Sequence, residues 1–303
     1  MSSPVNGIWE AISKAAGSLA EQTGKAVVAV DAGHPVVASG VHWKPGIVVT
    51  ASHLTRRAEE VNVILPNGNS LRATVGGRDS TTDLAVVRID DASALATLPL
   101  TASAHVGELV LAVARSRRGE LSASAGIMAR TGGPWQTWRG SQIDRLLRPD
   151  VRLYPGQSGS ALVNGRGQLI GINSSVLARE SVITLPTETV DRVVRELSER
   201  GHVPHPYLGI AMQEVPLPQE WRSGADEQRG LLVMHVAPDA PARQSGIHLG
   251  DVILGVDSQA VQSIRQFHRL LTQKRVGDTL DLSIIRGGNR MEAKVTLGDR
   301  PRR

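Results

Sequence analysis

The chain has no cysteine among its 303 residues, so neither a disulfide nor a thiolate metal site can form, and a cysteine nucleophile is excluded. Aromatic residues are scarce as well, at 3%. Val, Ile, Leu and Ala must then fill the core, which agrees with the many short β-branched runs. Long hydrophobic runs are also missing: no stretch approaches the roughly 18 apolar residues that a membrane-spanning helix requires. Near the N-terminus, Glu10 and Lys14 interrupt the only apolar segment that could serve as a secretory leader, so the chain as it stands reads as cytoplasmic. A leader removed beforehand would instead place it in the periplasm or elsewhere outside the cytoplasm.

Acidic charge is in deficit, with 34 Lys and Arg against 29 Asp and Glu and a net charge of +5. Such a balance raises nucleic acid as a partner. The arginines are scattered, however, and the one dense cluster, Arg115, Arg117 and Arg118, has no stacking aromatics between its members. It reads as a solvated loop, and nucleic-acid binding is disfavoured. His202 and His205 flank Pro204 with no third ligand nearby, which fits a linker better than a metal site. Neither a metal nor a cofactor is expected.

What the chain does contain is the stretch Tyr154-Pro155-Gly156-Gln157-Ser158-Gly159-Ser160-Ala161-Leu162. A serine with glycines two before and one after it has the layout of an exposed nucleophile in a tight turn. The amides of Gly156 and Ser158 are then candidates for an oxyanion hole, aimed at the charge that develops on an attacked carbonyl oxygen. Two partners for that serine occur in suitable settings. His53 follows the β-branched run Ile47-Val48-Val49-Thr50, and Asp83 lies in a polar turn leading into Leu84-Ala85-Val86-Val87.

The order His, Asp, Ser, together with Thr50-Ala51-Ser52-His53-Leu54, Asp79-Ser80-Thr81-Thr82-Asp83-Leu84-Ala85-Val86 and Gly156-Gln157-Ser158-Gly159-Ser160-Ala161-Leu162, resembles the HtrA (Deg) family of trypsin-like serine proteases. The second half, from Tyr207-Leu208-Gly209-Ile210 through Gly250-Asp251-Val252-Ile253-Leu254, looks like that family's PDZ domain. The resemblance implies a mainly β chain: a trypsin-like double β-barrel protease domain followed by a PDZ domain. It implies a serine endopeptidase, independent of ATP, with His53, Asp83 and Ser158 as its triad and unfolded or misfolded proteins as its substrates. Ser174 would place a hydroxyl beside the triad carboxylate, and Ser174, Ser175 and Val176 would pair with substrate backbone. The amides of Leu208, Gly209 and Ile210, next to Tyr207, would hold a peptide's terminal carboxylate. An N-terminal segment contributes to trimer contacts in the family, a role for which Trp9 is a candidate in a homotrimer. The competing reading is a catalytically silent PDZ adaptor or chaperone.

This sequence departs from the family pattern at several points. Ser160-Ala161 replaces the usual Gly-Pro, Tyr154 replaces Asn, and residues 115–119 read Arg-Ser-Arg-Arg-Gly where Asn-Pro-Phe-Gly is usual. Gln157 is neutral and cannot form the ion pair that activates trypsin itself. The primary specificity pocket reads in two ways. By the resemblance, Leu153, Val176 and Ile183 would make an aliphatic wall, the preferred reading, whereas Arg152, counted back from Ser158, falls where trypsin carries its selective charge and would favour acidic side chains.

The periodicity places an amphipathic helix over residues 8–20, short strands from residue 26 to about 185, and a helix over Thr187 to Arg200 closed by Gly201. The organisation expected is an N-terminal helical segment (1–25), a protease domain (26–200), a linker (201–206), a PDZ domain (207–299) and a basic tail (300–303).

Overall fold

A computed structural model of the chain describes residues 4–137, 140–178, 181–222 and 228–301. The chain divides into two compact units, Met1–Val203 and Pro204–Arg303.

The first unit opens with helix α1 (Pro4–Gly24), longer at both ends than the periodicity indicates, so Gly17 does not end it. Its C-terminal half carries Leu19 and Ala20 onto the core. Its N-terminal half leaves Ile8, Trp9 and Ile12 exposed.

Strands β1 (Val27–Asp31), β2 (Ala38–Lys44), β3 (Ile47–Ala51), β4 (Glu60–Ile64), β5 (Ser70–Asp79) and β6 (Leu84–Arg88) close into a barrel in the order β1-β2-β3-β6-β5-β4. Strands β7 (Leu109–Arg115) and β8 (Leu121–Gly132) begin a second barrel. A two-stranded excursion, β9 (Trp135–Gln136) and β10 (Gln142–Ile143), precedes β11 (Leu146–Asp150), β12 (Ala161–Asn164), β13 (Leu169–Ser174) and β14 (Ile183–Pro186), and the barrel closes in the order β11-β14-β13-β12-β7-β8.

The period of two along each strand sorts side chains between cores. Val28, Val30, Val48, Val63 and Val87 fill the first barrel, while Val110, Met128, Leu147, Leu162 and Ile170 fill the second. Their neighbours in sequence, among them Val27, Val49, Val86, Val113, Val163 and Ile172, join one cluster shared by both barrels. Helix α2 (Thr187–Arg200) covers that cluster with Val190, Val193, Val194 and Leu197. Because both faces of these strands are buried, they read as continuous apolar runs rather than alternating ones. Gly201, at φ 72°, closes α2 in the left-handed conformation, its N–H donating to the Leu197 carbonyl at 3.0 Å.

In the second unit, β15 (Pro206–Tyr207) pairs with β22 (Gly298–Asp299). Between them run β16 (Ile210–Pro216), β17 (Arg229–Val236), α3 (Pro241–Gln244), β18 (Val252–Val256), β19 (Gln259–Ala260), α4 (Ile264–Leu271), β20 (Thr279–Arg286) and β21 (Asn289–Thr296). The sheet order is β16-β17-β18-β20-β21, with β19 folded onto β18. Leu208, Leu231, Val233, Ile253, Phe267, Leu280 and Leu282 form its core. Ser263 caps α4 by accepting the Gln266 N–H at 3.2 Å. The His205 N–H donates to Asp299 Oδ1 at 3.0 Å and the Arg300 N–H to the His205 carbonyl at 3.1 Å, so this unit takes in residues on either side of the PDZ span read from the sequence.

Candidate active site

The first barrel sets the histidine and the aspartate side by side. β3 and β6 pair with Ala51 opposite Leu84, so the residues just past that pair, His53 in the short 3-10 turn Ser52–Leu54 and Asp83 ahead of β6, emerge together. Asp83 has φ 61°, a left-handed conformation that costs an L-residue about 1–3 kcal/mol but that aspartate tolerates better than most. The backbone there is held by the Ser52 N–H, which donates to the Asp83 carbonyl at 3.0 Å.

The Asp83 side chain, 3% exposed, accepts from the His53 backbone N–H at 3.0 Å. His53 Nδ1 lies 2.8 Å from Oδ1 and 3.0 Å from Oδ2. An ionised carboxylate can only accept, so Nδ1 carries the proton and Nε2 is left as the ring's acceptor. Ser174 Oγ donates to Oδ2 at 2.7 Å, which completes the shell around the carboxylate.

The serine turn comes from the second barrel. The Gln157 N–H donates to the Tyr154 carbonyl at 3.0 Å across Pro155 and Gly156. Proline followed by a glycine at φ 89° gives a type II turn. Gln157 stabilises this turn with neutral bonds: its Oε1 accepts the Tyr154 N–H at 2.8 Å and its Nε2 donates to Ser122 Oγ at 2.9 Å. Gly159 has φ 87°, and a Cβ there would lie 2.0 Å from the Ser39 carbonyl oxygen. Among the described residues, the Gly156 and Ser158 N–H groups donate to no protein acceptor, which leaves both available to an incoming oxygen.

One residue at this site has no sequence signature. Ser39, fully buried on β2 of the first barrel, donates its N–H to the Ser158 carbonyl at 3.1 Å and its hydroxyl to the Gly156 carbonyl at 3.2 Å. Its Oγ accepts the Arg115 N–H at 3.2 Å, and its carbonyl accepts Thr50 Oγ1 at 2.6 Å. It joins the two barrels at the serine turn. A polar residue at a strand position buried on both faces was the only available hint.

The serine hydroxyl is not bonded to His53 among the described residues. Ser158 Oγ lies 2.8 Å from Ser175 Oγ and accepts the Ser175 N–H at 3.2 Å. The other residues read from the sequence fall as follows. Ser174 ends β13 and is buried, whereas Val176 is 43% exposed. Ile183 faces Ser174 across β13 and β14 and packs into the shared core. A cavity of about 560 Å³ lies against Ser175, Leu153 and Arg152, and its walls include Arg130, Arg148 and Asp150 but neither Val176 nor Ile183.

Arg115 differs from the expected solvated loop. It ends β7, is 7% exposed, and donates from its guanidinium to the carbonyls of Val27 at 2.6 Å, Gly119 at 2.6 Å and Gly24 at 2.7 Å. Three oriented carbonyls hold the charge that burial would otherwise expel, although burial still lowers its pKa. Arg117 pairs with Asp31 at 3.2 Å.

In the second unit, Gly209 has φ 81°, and a Cβ there would lie 2.1 Å from the Ala240 Cβ. The Leu208 and Gly209 carbonyls accept the N–H groups of Ala242 at 3.0 Å and Ala237 at 2.8 Å, while among the described residues their own N–H groups donate to no protein acceptor. Leu208 is buried in the core, Tyr207 lies on β15, and Ile210 begins the edge strand β16, which packs against α4. Among the described residues no group of three or more His, Asp or Glu side chains is placed to hold a metal ion, and no helix is long and apolar enough to cross a membrane.

Residues 38–172 match the family model of the trypsin-like peptidase domain, and residues 206–297 match that of the PDZ domain. The serine protease Do-like HtrA of Lactobacillus helveticus is 34% identical over 271 residues, 83% of this chain and 65% of that protein, so the chain spans about two-thirds of that relative's length. The serine endoprotease DegS of Haemophilus influenzae is 30% identical over 269 residues, 85% of this chain and 75% of that protein. A protein described as a probable periplasmic serine endoprotease DegP-like, from Halomonas elongata, is 32% identical over 84% of this chain and 55% of its own length. Among solved structures, the serine endoprotease from Yersinia pestis superposes with a TM-score of 0.72 at 28% identity, covering 94% of this chain and 98% of that one.

Proposed function

The chain belongs to the HtrA family of trypsin-like serine proteases with a C-terminal PDZ domain, and on that premise we propose that it hydrolyses peptide bonds of unfolded or misfolded proteins through Ser158, His53 and Asp83. Ser158 Oγ attacks the carbonyl carbon and passes its proton to His53 Nε2, which delivers it to the leaving amine; a water then repeats the sequence to release the acyl group. Asp83 holds the histidine in the Nδ1–H tautomer and offsets the charge of the imidazolium. The Gly156 and Ser158 amides receive the oxyanion.

The observation that carries this reading is the closed set of bonds on the Asp83 carboxylate from His53 and Ser174. A carboxylate so buried and so fully used orients one imidazole and has little capacity left for any other task.

The second unit is read as a module for peptide C-termini. Its support is the pair of N–H groups at Leu208 and Gly209 without protein acceptors, at the head of an edge strand that can add a peptide strand. Ile8, Trp9 and Ile12, exposed along α1, are the surface through which a homotrimer would form. The name of the Halomonas relative supports a site of action outside the cytoplasm.

The bond from Ser175 to Ser158 favours a second reading, a silent adaptor whose serine is turned away from its base. A fluorophosphonate probe decides between them. Labelling of the chain, lost in Ser158→Ala along with digestion of casein, is the outcome expected. A chain that neither takes up the probe nor cuts casein is an adaptor.

A further inference from the structure

We propose that the cavity beside Ser158 selects an acidic side chain, so that cleavage falls after Asp or Glu, with Arg152, Arg148 and Arg130 as the specificity-determining cations. The inference rests on the reading of Ser158 as the nucleophile and deepens it by naming the substrate class.

The cavity's position comes first. Its wall includes Ser175, whose Oγ is 2.8 Å from Ser158 Oγ, together with Leu153 and Arg152 from the segment that leads into the serine turn. A substrate whose carbonyl sits over Ser158 presents the neighbouring side chain to this space. At about 560 Å³ the cavity falls within the range of sites that hold small ligands.

Its charge is the second observation. Among the described residues, three arginines line it against one acidic residue, Asp150. Among the described residues none of the three makes a salt bridge or donates a side-chain hydrogen bond, whereas Arg117, Arg145, Arg192 and Arg286 are all ion-paired. Arg148 and Arg130 stand directly opposite each other across β11 and β8, an arrangement that costs stability when both carry the same charge. A carboxylate between them relieves that repulsion. Arg152 is held in place by its neighbour, its guanidinium carbon lying 4.9 Å from the centre of the Tyr154 ring. The aliphatic alternative has lost two of its three walls: Ile183 is committed to the core and Val176 does not line the cavity.

These arginines are solvent-exposed, so each contact contributes modestly and is screened by salt. The test uses the full chain and quenched peptides that differ only at the residue before the scissile bond, carrying Glu, Asp, Gln, Val or Arg. The expected result is a kcat/KM for the Glu or Asp peptide at least about fivefold above that of the Gln peptide, shrinking at high salt. Arg152→Gln should collapse the Glu-to-Gln ratio, and Arg152→Glu should turn the preference toward the Arg peptide, a gain that a misfolded variant could not produce. Equal cleavage of Glu and Gln peptides, or a preference for Val, in a chain that still takes up fluorophosphonate at Ser158 overturns the specificity and leaves the nucleophile standing. A chain that takes up no probe and cuts no peptide overturns both.

Discussion

Replacing Ser39 by alanine tests whether the first barrel holds the nucleophile turn in shape. The Ser39 hydroxyl accepts the Arg115 N–H and donates to the Gly156 carbonyl, both at 3.2 Å. Its removal leaves two backbone groups unpaired, one of them in a buried setting. An unsatisfied buried group costs about 1–3 kcal/mol, so a stability loss of about 2–4 kcal/mol is expected, or roughly 5–15 °C in melting temperature for a unit of this size. The Ser39 N–H still donates to the Ser158 carbonyl, so the turn shifts instead of detaching. The shift acts on the Pro155–Gly156 segment and therefore on the Gly156 amide proposed for the oxyanion. Losing one such donor outright costs about 10²–10³ in rate. A displaced donor should cost less, about 10- to 100-fold in the second-order rate of fluorophosphonate labelling. A thermal scan of the same sample separates the two effects, because labelling measured far below the transition reports the turn alone. Labelling within twofold of wild type, with melting unchanged, would refute the argument that Ser39 positions this turn.

Two further outcomes follow from groups outside the triad. Arg115→Met keeps the apolar stem but removes three charge-assisted bonds to the Val27, Gly119 and Gly24 carbonyls; at about 1.5–3 kcal/mol each it should destabilise the first unit by at least about 4 kcal/mol in urea unfolding, and a loss below 1 kcal/mol would show those carbonyls to be solvated. Burial alone would raise the Asp251 pKa, but hydrogen bonds from Arg286 and the His248 N–H, with the charge of Arg286, hold it below the ordinary 3.8. A folded pKa below the unfolded one stabilises the second unit above the ordinary carboxylate range and loses that effect as pH falls through the folded value, so Asp251→Asn should lower stability at neutral pH and flatten the acid limb of a melting profile, whereas an unchanged acid limb would remove Asp251 as its source.

The parts of the fold legible in the sequence are those whose physics is local. α2 coincides with the span read from its periodicity and ends at the glycine whose left-handed φ the helix end requires. Strand β11 has a weak sequence pattern because Pro149 interrupts it; the proline sits where the register with β8 shifts, a bulge that tolerates a residue with no N–H to give. β12 begins within the quoted serine motif, at Ala161, so no separate pattern marks its start. The same division holds at the site. The proposed triad of His53, Asp83 and Ser158 has a legible setting, because attack on a carbonyl restricts each position to very few residue types and the turns that carry them leave recognisable neighbours. Ser39 and Arg115 were not legible, because the partners that tie them to the other barrel or to α1 lie 76 or more residues away in the chain and are mostly backbone atoms, which have no identity in a sequence. Arg115 was misassigned for that reason: in Arg-Ser-Arg-Arg-Gly it resembles its solvated neighbours, and only the carbonyls converging from α1, β1 and its own turn show that its charge is buried. The hydroxyl direction of Ser158 is less legible still, since the Ser175 hydroxyl and N–H that hold it lie 17 residues away in the chain. A substrate strand placed along Ser174 to Val176, the segment proposed to pair with substrate backbone, would act at the very residue that holds the Ser158 hydroxyl in this structure.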